Sequence, residues 1–291
     1  MNNPFSTTYH DAADSELIRH AREGSKQALE MLLTRHRHYI YNVALKMILS
    51  PFDAEDLTQE VLIKIITNLS SFREESSFRT WAYRITFNHF LKMKQHWLEE
   101  HITTFEQYGE TLEQMPDTAL LAAETFELQD FIEDAKIGCM SGMLLCLDRE
   151  QRLVYILGEL FGIDHTLGSQ MLDISKDNFR QRLARARHDL YQFMNKKCGL
   201  INQANPCRCA KKTKAFIAAG WVDTRRLKFN TDYLQRIYEV APQKSTDLCE
   251  LVEVTYADLF RAHPFQEKAH LKPLIEALLS DSTMQDIFDL Q

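Results

Sequence analysis

The chain has 291 residues, 45% of them apolar, and a formal net charge of −7. That length implies two or three domains with packed cores, and the acidic balance argues against a free-standing nucleic-acid binder. There is no apolar run of membrane-spanning length and no basic-then-apolar start, so neither a membrane protein nor a secreted one is expected, and the expected location is cytoplasmic.

Nine Gly, seven Pro and a helical period nearly throughout point to an all-α fold. Residues 1 to about 13 are polar and expected to be loose at the end. Two helices follow, near Asp14–Glu23 and Lys26–Leu49, split at Gly24-Ser25. The second carries a broad apolar face that includes Leu29, Leu33, Ile40, Ala44 and Met47, and Ser50-Pro51 stops it.

A third helix is expected from an Asp53 cap to about Leu69. Leu57, Val61, Ile65 and Leu69 recur every four residues and form a stripe that needs burying. Asp56 and Glu60 lie on a different face, with Gln59 and Ile63 beside them. Such a face either docks a basic partner helix or is simply solvated, and the solvated outcome is the commoner one.

A fourth helix starts near Ser76-Ser77 and holds Phe78, Arg79, Trp81, Tyr83, Arg84, Phe87, Asn88, Phe90, Lys92 and Lys94. Rings interleaved with cations suit single-stranded nucleic acid, where rings stack on bases and cations hold phosphates. The competing reading makes the rings core residues and the cations their wet edge.

Between Glu99 and Asp134 stand eleven acidic residues and no Lys or Arg. Sustained like charge disfavours compaction, so the early part of this segment is expected to be a flexible linker. The helical period returns at Leu120. A helix from Leu147 to about Phe161, a short one near Asp164–Leu172, a turn at Asp173-Ile174-Ser175 and a long helix from Lys176 give a helix-turn-helix pattern.

On that long helix Phe179, Leu183, Ala186, Leu190 and Phe193 share one inward stripe. Lys176, Arg180 and Arg187 line one flank of it and Arg182 the other, while Asn178, Gln181 and Arg185 face outward between them. Flanking cations suit phosphates and central side chains suit base edges, although a solvated basic helix would show the same stripe.

Cys198, Cys207 and Cys209 fall within twelve positions. Zinc would need Cys249 or a histidine as a fourth ligand, and the spacing matches no common zinc knuckle. Ordinary reduced cysteines are the first reading, zinc the second and a redox-sensitive thiol group the third, and no other cofactor is expected. Residues 210–291 are helical in pattern. They suit a folded regulatory or partner-binding module first, and a helical layer shielding the helix-turn-helix region second.

The ordered run D-A-E-D-L-x-Q-E-V-x-x-K-I, then S-F-R, then S-S-F-R-T-W-x-Y-R-I-x-x-N resembles region two of bacterial sigma factors, most closely the extracytoplasmic-function (ECF) group. L-D-x-E-Q-R-L-V followed by I-S-x-x-x-x-R-x-R-L-x-R-A-R resembles their region four. The resemblance implies contact with core RNA polymerase through Asp53, Asp56, Gln59 and Glu60. It implies minus-ten promoter contact through Phe78, Arg79, Trp81, Arg84 and Asn88. For the minus-thirty-five element it implies Ser175, Lys176, Asn178, Arg180, Gln181, Arg182, Arg185 and Arg187.

The implied map is region two at 1–98, an acidic linker at 99–119, region four at 120–197 and an extension at 198–291. The partners would be core polymerase and promoter DNA, with an anti-sigma factor as a further one, and no enzymatic activity. Two positions depart from the family pattern. Gly168 stands where a buried aliphatic is usual, and a mid-helix Gly costs about 1 kcal/mol relative to Ala. Asp173 replaces the usual turn Gly, a milder change because Asp tolerates the left-handed region. A helix-turn-helix regulator with a C-terminal effector or partner-binding domain is the alternative. It explains residues 147–197 but leaves 53–94 without a purpose.

Overall fold

The computed structural model describes residues 3–94, 97–102, 104–224, 265 and 271–280. Among them every regular element is helical and none is a strand. The chain divides into two compact units, one of Met1–Lys94, Gly162–Phe179 and Phe265–Gln291, the other of Gln95–Phe161 and Arg180–Pro264.

The first unit is built around α2 (Lys26–Ile48), which packs against α1 (Asp11–Arg22), α3 (Pro51–Asn68) and α4 (Phe78–Lys92). A helix apolar on most sides has to be central, and from Tyr39 to Ile48 every residue of α2 is buried. Leu49 ends it in the left-handed region at φ 57°, which turns the chain sharply into α3. The cap of α3 is Ser50, whose Oγ accepts from Asp53 N, and not Asp53 as the sequence suggested. Pro51 at the first helical position explains the shift: its fixed φ and missing N–H suit that place, so the helix begins three residues earlier. The expected stripe of Leu57, Val61, Ile65 and Leu69 is buried. Ser77 caps α4 by accepting from Thr80 N.

From residue 3 onward the N-terminal segment is docked. Phe5 and Tyr9 are buried, and Phe5 sits 4.8 Å from the ring of Tyr83 and 5.5 Å from that of Tyr39. Two rings in a polar stretch suffice to pin it, since each buries a large apolar area. Tyr9 Oη donates to Asp14, which is fully buried and also receives Arg35 Nε at 2.7 Å and lies 3.2 Å from His36 Nε2. Burial alone would raise the Asp14 pKa, but His36, Tyr9 and Arg35 outweigh it and hold the carboxyl below its ordinary value.

To this unit the chain adds α10 (His165–Leu172), which packs on α4, and α13 (Leu271–Ser280), which packs on α2 and α3. Ile275 and Leu279 of α13 are fully buried, and Phe265 lies 4.8 Å from Tyr39. A turn at Asp173, φ 56° and ψ 44°, leads from α10 into α11 (Lys176–Lys197). Gly168 earns its place at the contact of these two helices. A Cβ there would stand 2.5 Å from Cε2 of Phe179, so the missing side chain lets the Phe179 ring approach.

The second unit contains α5 (Trp97–His101), α6 (Phe105–Gln114), α7 (Ala122–Glu127), α8 (Gln129–Leu145), α9 (Arg149–Tyr155), most of α11 and α12 (Cys209–Ala218). Its α9 runs into a π-helical turn at Ile156–Leu160, and α12 packs on α8. The acidic stretch expected as a flexible linker is folded into this core. Tyr108 and Leu112 of α6 are buried, and the Tyr108 ring stacks on Trp221 at 6.0 Å. Its charge is answered by bases far along the chain. Glu99 is 6% exposed and receives Arg149 Nη2 at 2.6 Å and Arg152 Nη1 at 2.8 Å. Glu113 pairs with Lys197, Asp117 with Lys212 and Glu124 with Lys214.

Candidate nucleic-acid interface

The acidic face of α3 stands in solvent. Asp53, Asp56 and Glu60 are exposed, and Gln59 and Ile63 are half-buried beside them. Opposite faces of one helix thus divide cleanly into core and surface, as the period of 3.6 requires. Glu60 reaches His89 Nε2 on α4 at 3.0 Å. Burial and the Lys64 charge hold His89 below its ordinary pKa against the opposing pull of Glu60, so at neutral pH this is a hydrogen bond from a neutral ring.

The five α4 candidates separate into three kinds. Phe78 is 3% exposed, with its ring against His36, Phe72 and Trp81. It is a core ring here, and presents no face for a base. Arg79 holds the N-terminal segment: Nη1 donates to the carbonyls of Pro4 and Ser6, Nε lies 3.0 Å from Asp11, and the guanidinium sits over Tyr9. Trp81, Arg84 and Asn88 reach the surface. Trp81 is half-buried with its ring 5.1 Å from Phe72, at the loop that precedes the helix, and Asn88 is exposed. Arg84 Nη2 donates to the carbonyl of Gln170 at 2.9 Å and lies 3.5 Å from Asp173. The α10 residues that touch Arg84 were not among the sequence candidates, since nothing in periodicity couples positions 84 and 170.

The inward stripe of α11 is buried at Phe179, Ala186, Leu190 and Phe193, and Leu183 is half-buried. Ser175 serves as the cap of this helix, its Oγ accepting from Asn178 N at 3.1 Å. Lys176, Arg180, Gln181, Arg185 and Arg187 are exposed, while Asn178 and Arg182 are half-buried. Two of the cations have acidic partners that fix their direction. Arg182 Nη1 meets Glu150 at 2.6 Å, and Arg187 meets the buried Glu159 of the π-helical turn. At that turn a Cβ on Gly158 would stand 2.9 Å from Leu183, so the backbone and α11 approach closely there.

The cysteines gather more widely than their spacing suggests. Burial raises the thiols of Cys198, Cys207 and Cys209, and pushes Cys139 of α8 up to about 12; Cys139, Cys198 and Cys209 also feel other thiols of the group, whereas Cys207 feels Lys212, Asp117 and Arg208. The shifts favour the protonated thiol, with Cys198 buried and Cys139, Cys207 and Cys209 half-buried. Among the described residues no group of three His, Cys, Asp or Glu is placed to hold a metal ion. Cys249 lies outside the described residues. No described helix is long and apolar enough to cross a membrane.

Residues 32–96 match the family model for sigma-70 region 2, a range that takes in every α3 and α4 candidate. The α11 candidates fall outside it. The chain is 33% identical over 75 residues to the RNA polymerase sigma-H factor of Pseudomonas aeruginosa, which covers 26% of this chain and 39% of that protein. It is 25% identical over 166 residues to the ECF RNA polymerase sigma factor SigE of Mycolicibacterium smegmatis, covering 57% and 61%. Against the ECF RNA polymerase sigma-E factor of Escherichia coli K12 it is 25% identical over 190 residues, covering 60% of this chain and 90% of the relative.

Proposed function

We propose that this chain, whose residues 32–96 belong to the sigma-70 region 2 family, acts as an ECF-type sigma factor that binds core RNA polymerase and directs it to promoters. The observation that carries the reading is the pairing of surfaces inside the matched range. A solvent-facing acidic helix is followed directly by an aromatic and cationic one.

Asp53, Asp56, Gln59 and Glu60 dock on a basic surface of the polymerase. Trp81 and Asn88, with Arg84 once it is released from its present partners, engage the minus-ten element, where an aromatic platform and a cation favour unstacked single-stranded bases over duplex. Phe78 supports Trp81 from beneath and Arg79 fixes the segment that packs under α4. On α11, Gln181 and Arg185 reach base edges of the minus-thirty-five element, with Lys176, Arg180 and Arg187 on phosphates. No covalent step is involved. An acidic protein touches DNA productively this way because the polymerase brings the two together, and an anti-sigma factor would act by covering the same surfaces.

In vitro transcription with purified core polymerase and a genomic promoter library tests the proposal. Promoter-specific starts that core polymerase alone does not make are the expected result. A library transcribed identically with and without the chain would overturn it.

A further inference from the structure

The helix proposed to read the minus-ten element and the helix leading into the proposed minus-thirty-five reader touch each other. Arg84 on α4 donates to the Gln170 carbonyl at 2.9 Å and faces the Asp173 carboxylate at 3.5 Å, and α10 lies along α4 around this contact. Asp173 is the turn residue at φ 56°, and its carboxylate is what distinguishes it from the glycine that such a conformation favours.

Geometry makes this contact incompatible with engagement of both elements. By their names the two promoter elements lie about 25 base pairs apart, roughly 85 Å of duplex at 3.4 Å per base pair. Helices held within hydrogen-bonding distance cannot serve sites that far apart. We propose that the α4–α10 contact is a closed state in which Asp173 and the Gln170 carbonyl occupy Arg84 in place of promoter phosphate, so that loading onto DNA requires α10 to leave α4. This rests on the sigma-factor reading given above.

Two features suit a contact meant to open. Its charged groups are accessible, with the side chain of Arg84 41% exposed and that of Asp173 75%, so water and salt weaken their attraction. Moreover, Arg84 Nε is shielded from solvent and has no hydrogen-bond partner. A phosphate can take two parallel N–H donors of a guanidinium at once, so DNA satisfies Arg84 better than the closed contact does.

The test compares the full chain with Asp173→Asn and Asp173→Gly, both of which tolerate the left-handed turn. Hydrogen–deuterium exchange of residues 165–172 should quicken about two- to five-fold, the population shift that an exposed ion pair is worth. Affinity for a short fluorescent oligo(dT), in the absence of polymerase, should rise by a similar factor. Unchanged exchange and unchanged oligonucleotide affinity in both variants, with promoter-specific transcription intact, would overturn the closed state and leave the sigma-factor reading standing. Faster exchange in a chain that gives core polymerase no promoters would sink the sigma-factor reading, and this inference with it.

Discussion

Two acidic stretches of this chain meet opposite fates. On α3 the carboxylates of Asp53, Asp56 and Glu60 stand on the surface, on the side of the helix away from its buried stripe. Between Glu99 and Glu124 the same kind of residue is tied to its own folded unit, Glu99 in the core by Arg149 and Arg152, and Glu113, Asp117 and Glu124 at the surface by Lys197, Lys212 and Lys214. Charge in a sequence therefore says little until its partners are known. A paired buried acid holds structure together, whereas an acid displayed on a rigid helix is available to another molecule.

Substitutions that remove one acid at a time grade the contrast. Glu99→Gln leaves two guanidiniums short of their counter-charge, Arg152 among them at 2% exposure. Breaking a buried pair in this way costs about 3–5 kcal/mol. The lower end is expected, because Arg152 also donates to the carbonyls of Leu144, Leu145 and Leu147. Urea unfolding at neutral pH measures it. A loss under about 1 kcal/mol would erase the distinction between the two stretches.

Asp14, the buried acid of the first unit, comes next. Its pKa is lowered in the folded state, so the stabilisation it brings is present above the unfolded value and disappears as pH falls through the folded one. Thermal melts from neutral pH down to about pH 3 should show Asp14→Asn less stable by about 1–3 kcal/mol at neutral pH, with that gap closing in acid. A gap independent of pH would remove the carboxylate from the account.

Glu113→Gln should do less. Its pair with Lys197 is exposed, at 60% and 41% of the two side chains, and such pairs are worth about 0–1 kcal/mol. Smallest of all for stability is the double reversal Asp56→Lys, Glu60→Lys, expected within about 0.5 kcal/mol of the parent as surface changes usually are. The same double variant should weaken core-polymerase binding by more than about ten-fold, since like charges then face each other across the interface. Pull-down with purified core polymerase reads that split, and intact binding would put the α3 acids on an ordinary wet surface.

The helices themselves were legible because their signals are local. The stripe of Leu57, Val61, Ile65 and Leu69, the cap at Ser77 and the turn at Asp173 each depend on residues a few positions apart. What escaped depends on distant ones. Phe5 and Tyr9 find Tyr39, Tyr83 and Arg79, and the acids after Glu99 find bases up to 95 positions away, as Asp117 does in Lys212. Gly168 was read as a flaw in a helix, and the ring of Phe179 shows it to be a clearance. Of the proposed DNA-contacting residues, composition could flag Phe78 and Arg79, but only burial could tell that one is core and the other a clamp on the N-terminal segment.

The seating of α13 on α2 has a consequence for how the protein is made. Ribosomes add about 5–20 residues per second, and more than 200 residues separate the end of α2 from the start of α13. For roughly ten to forty seconds, then, the nascent N-terminal unit exists without the helix that brings Ile275 and Leu279 into its core. A newly made chain passes through that interval in an unfinished form, and whatever the N-terminal surfaces bind in the cell can meet it there first.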